Sequence, residues 1–457
     1  MKTLRPWPAA ALLLLLLSSA CIDLEVPDYN ASSLQSLTTT PTPLAVATAA
    51  QGLIWGVRED YEYWVIIAAS LGREAFNLSA ADAGWRTILN TMNSGFYLTR
   101  EWGNPYRNIR QANIVLGAVD AVTGMTDAEK NGVRGFTKTM QALDYLLIIE
   151  SRDTAGAFVD VGRDPTGDPA PWASKAQVYT HIEALLDQAK VDLQAAGSTM
   201  VINVGPGMAP FTTPATFLKL NRGIRGRVAV YRDDWNTALT ALSESFLDTN
   251  QPLTYGAYHV WSTNAGDKTF VRIFDPTGQW HYGHPTFKTD AKLRADGTRD
   301  RRFTSKTQAM PLKTFQNVGS DFRPTVYPRV DGQITMIRNE ELILLRAEAN
   351  LGAGNTDQAL TDISFIRTSS GGLDAIPLAT WQGMTSAQRL DELLYNKRYS
   401  LWFEGGHRWI DWRHYGKLAQ LPIDRTGDKR FSYIQIPTGD CNVYNPKPAG
   451  CAIPAGF

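Results

Sequence analysis

The chain has 457 residues, 44% of them hydrophobic and 20% charged, and its 45 basic side chains balance 45 acidic ones. That length supplies one large helical-repeat domain or two ordinary domains, with a substantial core in either case. A formal net charge of zero, with Lys and Arg interspersed among acids, argues against nucleic acid, because affinity for a phosphate backbone needs clustered cations.

At the N-terminus Lys2 and Arg5 precede an apolar run from Ala9 to Leu17, and Ser18, Ser19 and Ala20 lead into Cys21. A cationic start, a short apolar stretch and small residues make a secretory signal over residues 1–20. The run is well short of the roughly 20 residues that cross a bilayer as a helix. Leu17 to Cys21 resembles a bacterial lipobox with its Leu one place early, so Cys21 is expected to become the acylated first residue of the mature chain. Ordinary signal cleavage near Ala20 is the alternative. Residues 21–43 are polar and rich in Thr, Ser and Pro, which reads as a tether off the membrane.

Beyond the tether, apolar spacing predicts helices over 44–57, 106–122, 127–150, 175–196, 214–231, 235–246, 338–351, 356–367 and 387–401. Thr126 before Asp127 and Glu129, and Thr213 before Pro214, mark two of the starts. One unit recurs: an Ala-containing helix, a tight turn and a second helix opening toward Ala-Leu, at 228–239 and again at 348–360. These units read as tetratricopeptide-like helical hairpins, and the predicted fold class is mainly α, a solenoid-type frame. Residues 247–327, rich in Tyr, Trp, Gly, Thr, Asp and Pro, are expected to be a loop-rich insertion, where binding residues tend to sit on a rigid scaffold. Cys441 and Cys451 are the remaining cysteines of an exported chain, and the Pro- and Gly-containing segment between them can turn back, so they are expected to form a disulfide. A zinc site there lacks neighbouring ligands.

Four segments in this order resemble the SusD/RagB family of outer-membrane nutrient-uptake lipoproteins. They are Cys21 to Pro27, with its Asp-Leu and Pro; Tyr106 to Asn113, ending in Ala-Asn; Ile337 to Ala349, with Arg-x-x-Glu and then Arg346-Ala347-Glu348-Ala349; and Leu394 to Gly416, with Phe403-Glu404-Gly405 and Arg408-Trp409-Ile410-Asp411. The fourth departs in having Asn396-Lys397 where Glu-Arg commonly stands, and an extra Gly406. The resemblance implies a single SusD/RagB-like domain over 44–457 and a lipid-anchored place on the cell surface. It also implies capture of oligosaccharide for a SusC-like TonB-dependent transporter, without catalysis or cofactor.

The residues themselves offer little chemistry. His407, Asp411 and His414 would share one face of a continuous helix and could ligate a metal, but the Gly405-Gly406 pair before them weakens helix, and no metal is expected. His281 and His284 are expected to be a surface or ligand-contacting pair. Asp233-Asp234 and Glu340-Glu341 are explained by a hairpin turn and a helix start. Sugars need flat apolar faces beside planar polar groups. Two places supply both: Phe76, Asn77 and Trp85, and the stretch from Tyr255, Tyr258 and Trp261 to Gln279, Trp280 and Tyr282. Trp85, Trp261, Trp280 and Tyr282 are the expected stacking rings, whereas Trp102, Trp235, Trp402 and Trp409 read as packing residues. A tetratricopeptide-type scaffold for peptide or protein is the competing reading, which the insertion disfavours, and a secreted glycosidase is the third.

Overall fold

A computed structural model describes residues 34–79, 87–92, 95, 98–163, 167–270, 273–275 and 280–457. Every predicted helix is present: α1 (Pro43–Arg58), α2 (Tyr61–Leu71), α3 (Arg100–Ala121), α4 (Asp127–Arg152), α5 (Lys175–Gln194), α6 (Pro214–Val230), α7 (Trp235–Ser243), α8 (Asn339–Gly352), α9 (Thr356–Ile366), α10 (Ser386–Ser400) and α11 (His407–His414) include them all. Local chemistry sets the starts. Reciprocal capping boxes open α4 at Thr126 and Glu129, α5 at Ser174 and Gln177, and α10 at Thr385 and Gln388, each satisfying otherwise orphaned backbone donors. Helices α2 and α11 lie outside the sequence expectation, as do the start of α3 and a short helix at Leu34–Thr38 within the expected tether, where Leu37 is buried in the core. Helix α2 is buried along almost its whole length, so it has no polar stripe from which a helical period could be read. Helix α3 begins before Pro105 and carries that proline inside it, where the sequence suggested a start just beyond it.

From α3 to α9 each helix packs on the next, which makes the frame a run of helical hairpins. The turn between α6 and α7 places Asp233 in the left-handed region at φ 58°, while Asp234 caps α7 by accepting from Thr237 N. Close approach of α7 to α8 depends on Gly352, where a Cβ would lie 2.2 Å from the Trp235 ring. The mainly α class is as the sequence indicated. No helix among the described residues is long and apolar enough to cross a membrane.

The insertion is more regular than its composition suggested. It holds β2 (Gly256–Trp261), β3 (His281–Gly283), β4 (Thr307–Phe315) and β5 (Val318–Pro324), while β1 (Ala75–Asn77) precedes it and β6 (Gly332–Arg338) follows it. All pairings are antiparallel: β1 with β3, β2 with β6, and β4 with β5. The β4–β5 turn is Gln316-Asn317, both at positive φ, the geometry that suits strand twist in a two-residue hairpin. Near the C-terminus Cys441 and Cys451 are bonded, with Cα atoms 5.7 Å apart.

Charged side chains join the frame to the C-terminal segment from inside. Lys397 on α10 donates to Glu348 on α8 at 2.7 Å and to Asp411 on α11 at 2.5 Å, all three buried. Arg338 donates to both oxygens of Glu404, at 3.0 and 3.1 Å, and also to Glu340. Arg227 on α6 forks onto Glu341 at 2.6 and 2.7 Å. The acids at the start of α8 therefore do more than complement a helix dipole: they are the anions of buried pairs.

Lys397→Met should cost about 3–5 kcal/mol in denaturant unfolding, because it leaves two carboxylates buried without their cation. A loss under about 1 kcal/mol would mean the pair is dispensable. Burial alone would raise the Glu404 carboxyl, but Arg338 and Lys306 outweigh it and hold it at about 2. Its folded value is below its unfolded value near 4.5, so its stabilisation is complete above pH 4.5 and is lost as pH falls toward 2. Glu404→Gln should flatten that part of the stability–pH curve.

Candidate functional site

Parts of the two aromatic places that the sequence singled out are brought together at one point. Strands β1 and β3 pair with Phe76 opposite Tyr282 and Asn77 opposite His281, and the ladder continues as Leu78 N donates to Trp280 O at 2.8 Å. The rings themselves are used in different ways. Phe76 and Tyr282 are 3% exposed and form a small apolar cluster with Leu78 and Val318, against which Met310 and Phe315 pack. Gly283 permits this tightness, since a Cβ there would meet the Phe322 ring at 1.9 Å. Asn77 is buried too, its Oδ1 accepting from Ser79 N at 2.8 Å. In this conformation Phe76, Asn77 and Tyr282 offer no face to a ligand and form the floor beneath the surface.

Trp280 stands at the edge of that floor, 38% exposed. Its backbone is fixed from below by the buried Asp275, whose Oδ2 accepts from Trp280 N at 2.7 Å and from His281 N at 2.9 Å. The Asp275 carbonyl accepts in turn from Arg323 on β5 at 3.0 Å. An exposed indole on a pinned backbone loses little freedom on meeting a ligand. Trp85, Gln279 and Cys21 lie outside the described residues.

Trp261 occupies a separate position. It is 4% exposed on β2, edge-on to Phe270 at 5.2 Å, at the base of an open cleft of about 440 Å³ whose rim carries Arg329, Asp331 and Gln333. A chain of rings runs from Phe270 through Tyr327 and Phe403 to His281, each centroid within 6.2 Å of the next, so cleft and floor are joined through the interior. Tyr255 packs against Phe211 and Phe246.

The histidines are not where the sequence reading placed them. His281 and His284 are interior residues, because the β1–β3 pairing turns them inward. His284 meets Asp424 at 3.1 Å through Nε2, while its Nδ1 accepts from Thr286 N. Burial lowers its pKa more than Asp424 restores it, so at neutral pH the ring is uncharged and the contact is a hydrogen bond. Asp411 faces Lys397, and His414 pairs with Asp233 at 3.0 Å, so α11 directs these groups to different partners. Trp102, Trp402 and Trp409 are fully buried, and Trp235 packs between α7 and α8.

The described residues define a class: a helical-hairpin scaffold bearing an insertion of short strands with exposed aromatic edges. No protein-family model and no curated protein matches the chain. Solved structures do. A SusD superfamily protein from Bacteroides vulgatus is 15% identical with a TM-score of 0.63, covering 85% of this chain and 93% of its own. A SusD-like carbohydrate-binding protein from Bacteroides fragilis is 13% identical with a TM-score of 0.67, over 90% and 99%. Surface glycan-binding protein A from Bacteroides thetaiotaomicron, solved with laminarihexaose, is 12% identical with a TM-score of 0.67, over 91% and 100%. The fold of this chain is the SusD-like fold, in agreement with the motifs of its sequence.

Phe76→Ala or Tyr282→Ala should destabilise by about 3–5 kcal/mol, as truncation of a buried aromatic does. Trp280→Ala should leave the melting temperature within about 2 °C, as surface changes do. Thermal melts of the three variants check the division between floor and edge, and a large drop for Trp280→Ala would reverse it.

Proposed function

We propose that this chain is a cell-surface glycan-binding lipoprotein that captures oligosaccharide and passes it to a SusC-like TonB-dependent transporter, without acting on it chemically. Residues 1–20 are its signal peptide, Cys21 its lipid anchor, 21–43 its tether and 44–457 its receptor domain. The observation that carries the reading is the exposed Trp280 ring, on a backbone pinned by Asp275, at the edge where the 75–79 and 280–283 segments join. Its flat apolar face suits the C–H side of a pyranose, and Trp85 is proposed as a further stacking ring. The SusD-like fold supports this assignment, since proteins of that fold include a laminarin-binding one and one in complex with laminarihexaose.

Transport without chemistry fits the carboxylates described above. Glu340, Glu341, Glu348, Glu404 and Asp411 are buried against cations, where none can reach a glycosidic oxygen on the surface.

Retention on immobilised polysaccharides, measured together with reducing-end release, tests the reading. Retention by at least one neutral glycan with no release is expected, weakened about 5- to 150-fold by Trp280→Ala if one stacked ring contributes about 1–3 kcal/mol. Release of reducing ends would make the chain a glycosidase, and retention by peptides alone would make it a peptide scaffold. Cys21→Ala should shift the protein from the membrane fraction to the soluble one; an unchanged membrane fraction would remove the lipid anchor.

A further inference from the structure

A second cleft lies away from Trp280, between the C-terminal half of α1, strand β2 and the segment 203–208. Its volume is about 250 Å³, just below the range of about 300–1,000 Å³ typical of drug-sized ligands. Its most prominent ring is Trp55, which is 38% exposed although it sits one helical turn from the buried Arg58. The Arg58 guanidinium lies 4.0 Å from the Trp55 ring centroid and 5.6 Å from that of Trp261, so it stands between the two indoles. Asp267 receives that guanidinium at 2.5 Å and is itself fixed by Ser262 Oγ at 2.8 Å and Lys268 N at 2.7 Å. The clasp orients Trp55 and neutralises the cation that orients it.

The remaining lining is uncharged and polar. Gln51 lies one turn before Trp55, and Asn264 follows Ser262; neither side-chain amide has a hydrogen bond among the described residues. Asn203 uses its Oδ1 to accept from Gly205 N, which leaves its amide donors toward the cleft it lines. The opposite wall, Pro206 to Met208, lies flat on β2 because position 207 is glycine: a Cβ there would be 2.1 Å from Tyr258 O. An oriented indole, three carboxamides and an internally neutralised charge form an environment for hydroxyls on a ring with an apolar face. It offers no unpaired cation to a phosphate or carboxylate. We infer that the Trp55 cleft is a second binding site, distinct from the Trp280 edge, for one or two residues of a neutral saccharide.

The test uses the full mature chain labelled with 5-fluorotryptophan, with the Trp55 and Trp280 resonances assigned through Trp55→Phe and Trp280→Phe. Glucose, galactose, mannose and N-acetylglucosamine are titrated separately into the millimolar range. The Trp55 resonance should move saturably with at least one of them. Gln51→Leu should weaken that response about 2- to 10-fold, the loss expected for one hydrogen bond, with the melting temperature and the Trp280 response unchanged. A Trp55 resonance unmoved by all four sugars, or moved linearly and equally in Gln51→Leu, overturns the inference. The two readings separate cleanly. A response at Trp280 alone leaves the glycan-capture proposal standing without this site, and a response at Trp55 alone leaves this site standing without that edge.

Discussion

The position of Lys397 between Glu348 and Asp411 constrains most of the molecule. Burial would drive the ammonium to lose its proton, yet the two carboxylates raise its pKa instead, so a full cation sits in the interior. Such an arrangement tolerates no error in distance, because an interior charge without its partner costs several kcal/mol. It thereby fixes α8, α10 and α11 relative to one another. Tyr415 adds a hydrogen bond to the other Glu348 oxygen at 2.7 Å, extending the same constraint past the end of α11. Next to it the Arg338 fork onto Glu404 ties the end of β6 to the loop before α11, and Arg227 with Glu341 ties α6 to α8. These pairs need not add net stability over a hydrocarbon core; their effect is to permit one register of helices and exclude others.

That register is what places the candidate binding surface. Strand β6 runs directly into α8, and β2 pairs along it, so the base of the insertion is fixed to the most constrained helix of the frame. Strand β1 follows α2, whose Trp64 donates to Gly405 O at 3.1 Å and whose Ala68 lies so close to Gly406 that a Cβ there would be 2.4 Å away. The left-handed φ of 86° at Gly406 together with this contact shows what that glycine does: it lets the start of α11 press against α2. The pairing of β1 with β3 then carries this rigidity to the Asp275–Trp280 corner.

The frame was legible in the sequence because its helices are amphipathic and their starts are chemically marked, as Thr126 with Glu129 and Thr213 with Pro214 illustrate. Helix α2 was not, since Tyr61 to Leu71 is apolar on every side, and the β4–β5 hairpin was not, since Gln316-Asn317 is a weaker turn signal than Asn-Gly. The motif residues were recognisable as a pattern, but their pairing was not: Glu340 and Glu341 are adjacent in sequence and turn to different arginines, Arg338 and Arg227. The candidate site was half legible. Aromatic and amide-rich stretches marked two segments that the fold pairs side by side, yet composition cannot separate Tyr282, which is packed under Val318, from Trp280 two residues earlier, which faces solvent. Trp55 escaped notice for the opposite reason. It lies on a helix with regular apolar company, so its sequence context is that of a core residue, and only the placement of β2 and residues 203–208 leaves it at the mouth of a cleft.

The perturbed acids and bases point the same way as the exposed rings. Burial raises Glu150 to about 7 and outweighs Arg227 and Arg413; it lowers His259 to about 3, assisted by Arg58 and Arg227; and it lowers His407 to about 4 despite the nearby Glu341. In an enzyme such shifts gather in an accessible cleft, where a substrate meets them. Here Glu150, Arg227 and His259 surround an interior space of about 30 Å³ between α1, α4 and β2, with room for about one water molecule. Their shifts are a consequence of packing helices around charged pairs. The surface carries the complementary inventory: Trp280 and Trp55 with amides and an already neutralised ion pair. A surface of that kind suits hydroxyls and ring faces by shape and hydrogen bonding, as the proposed capture of glycan requires.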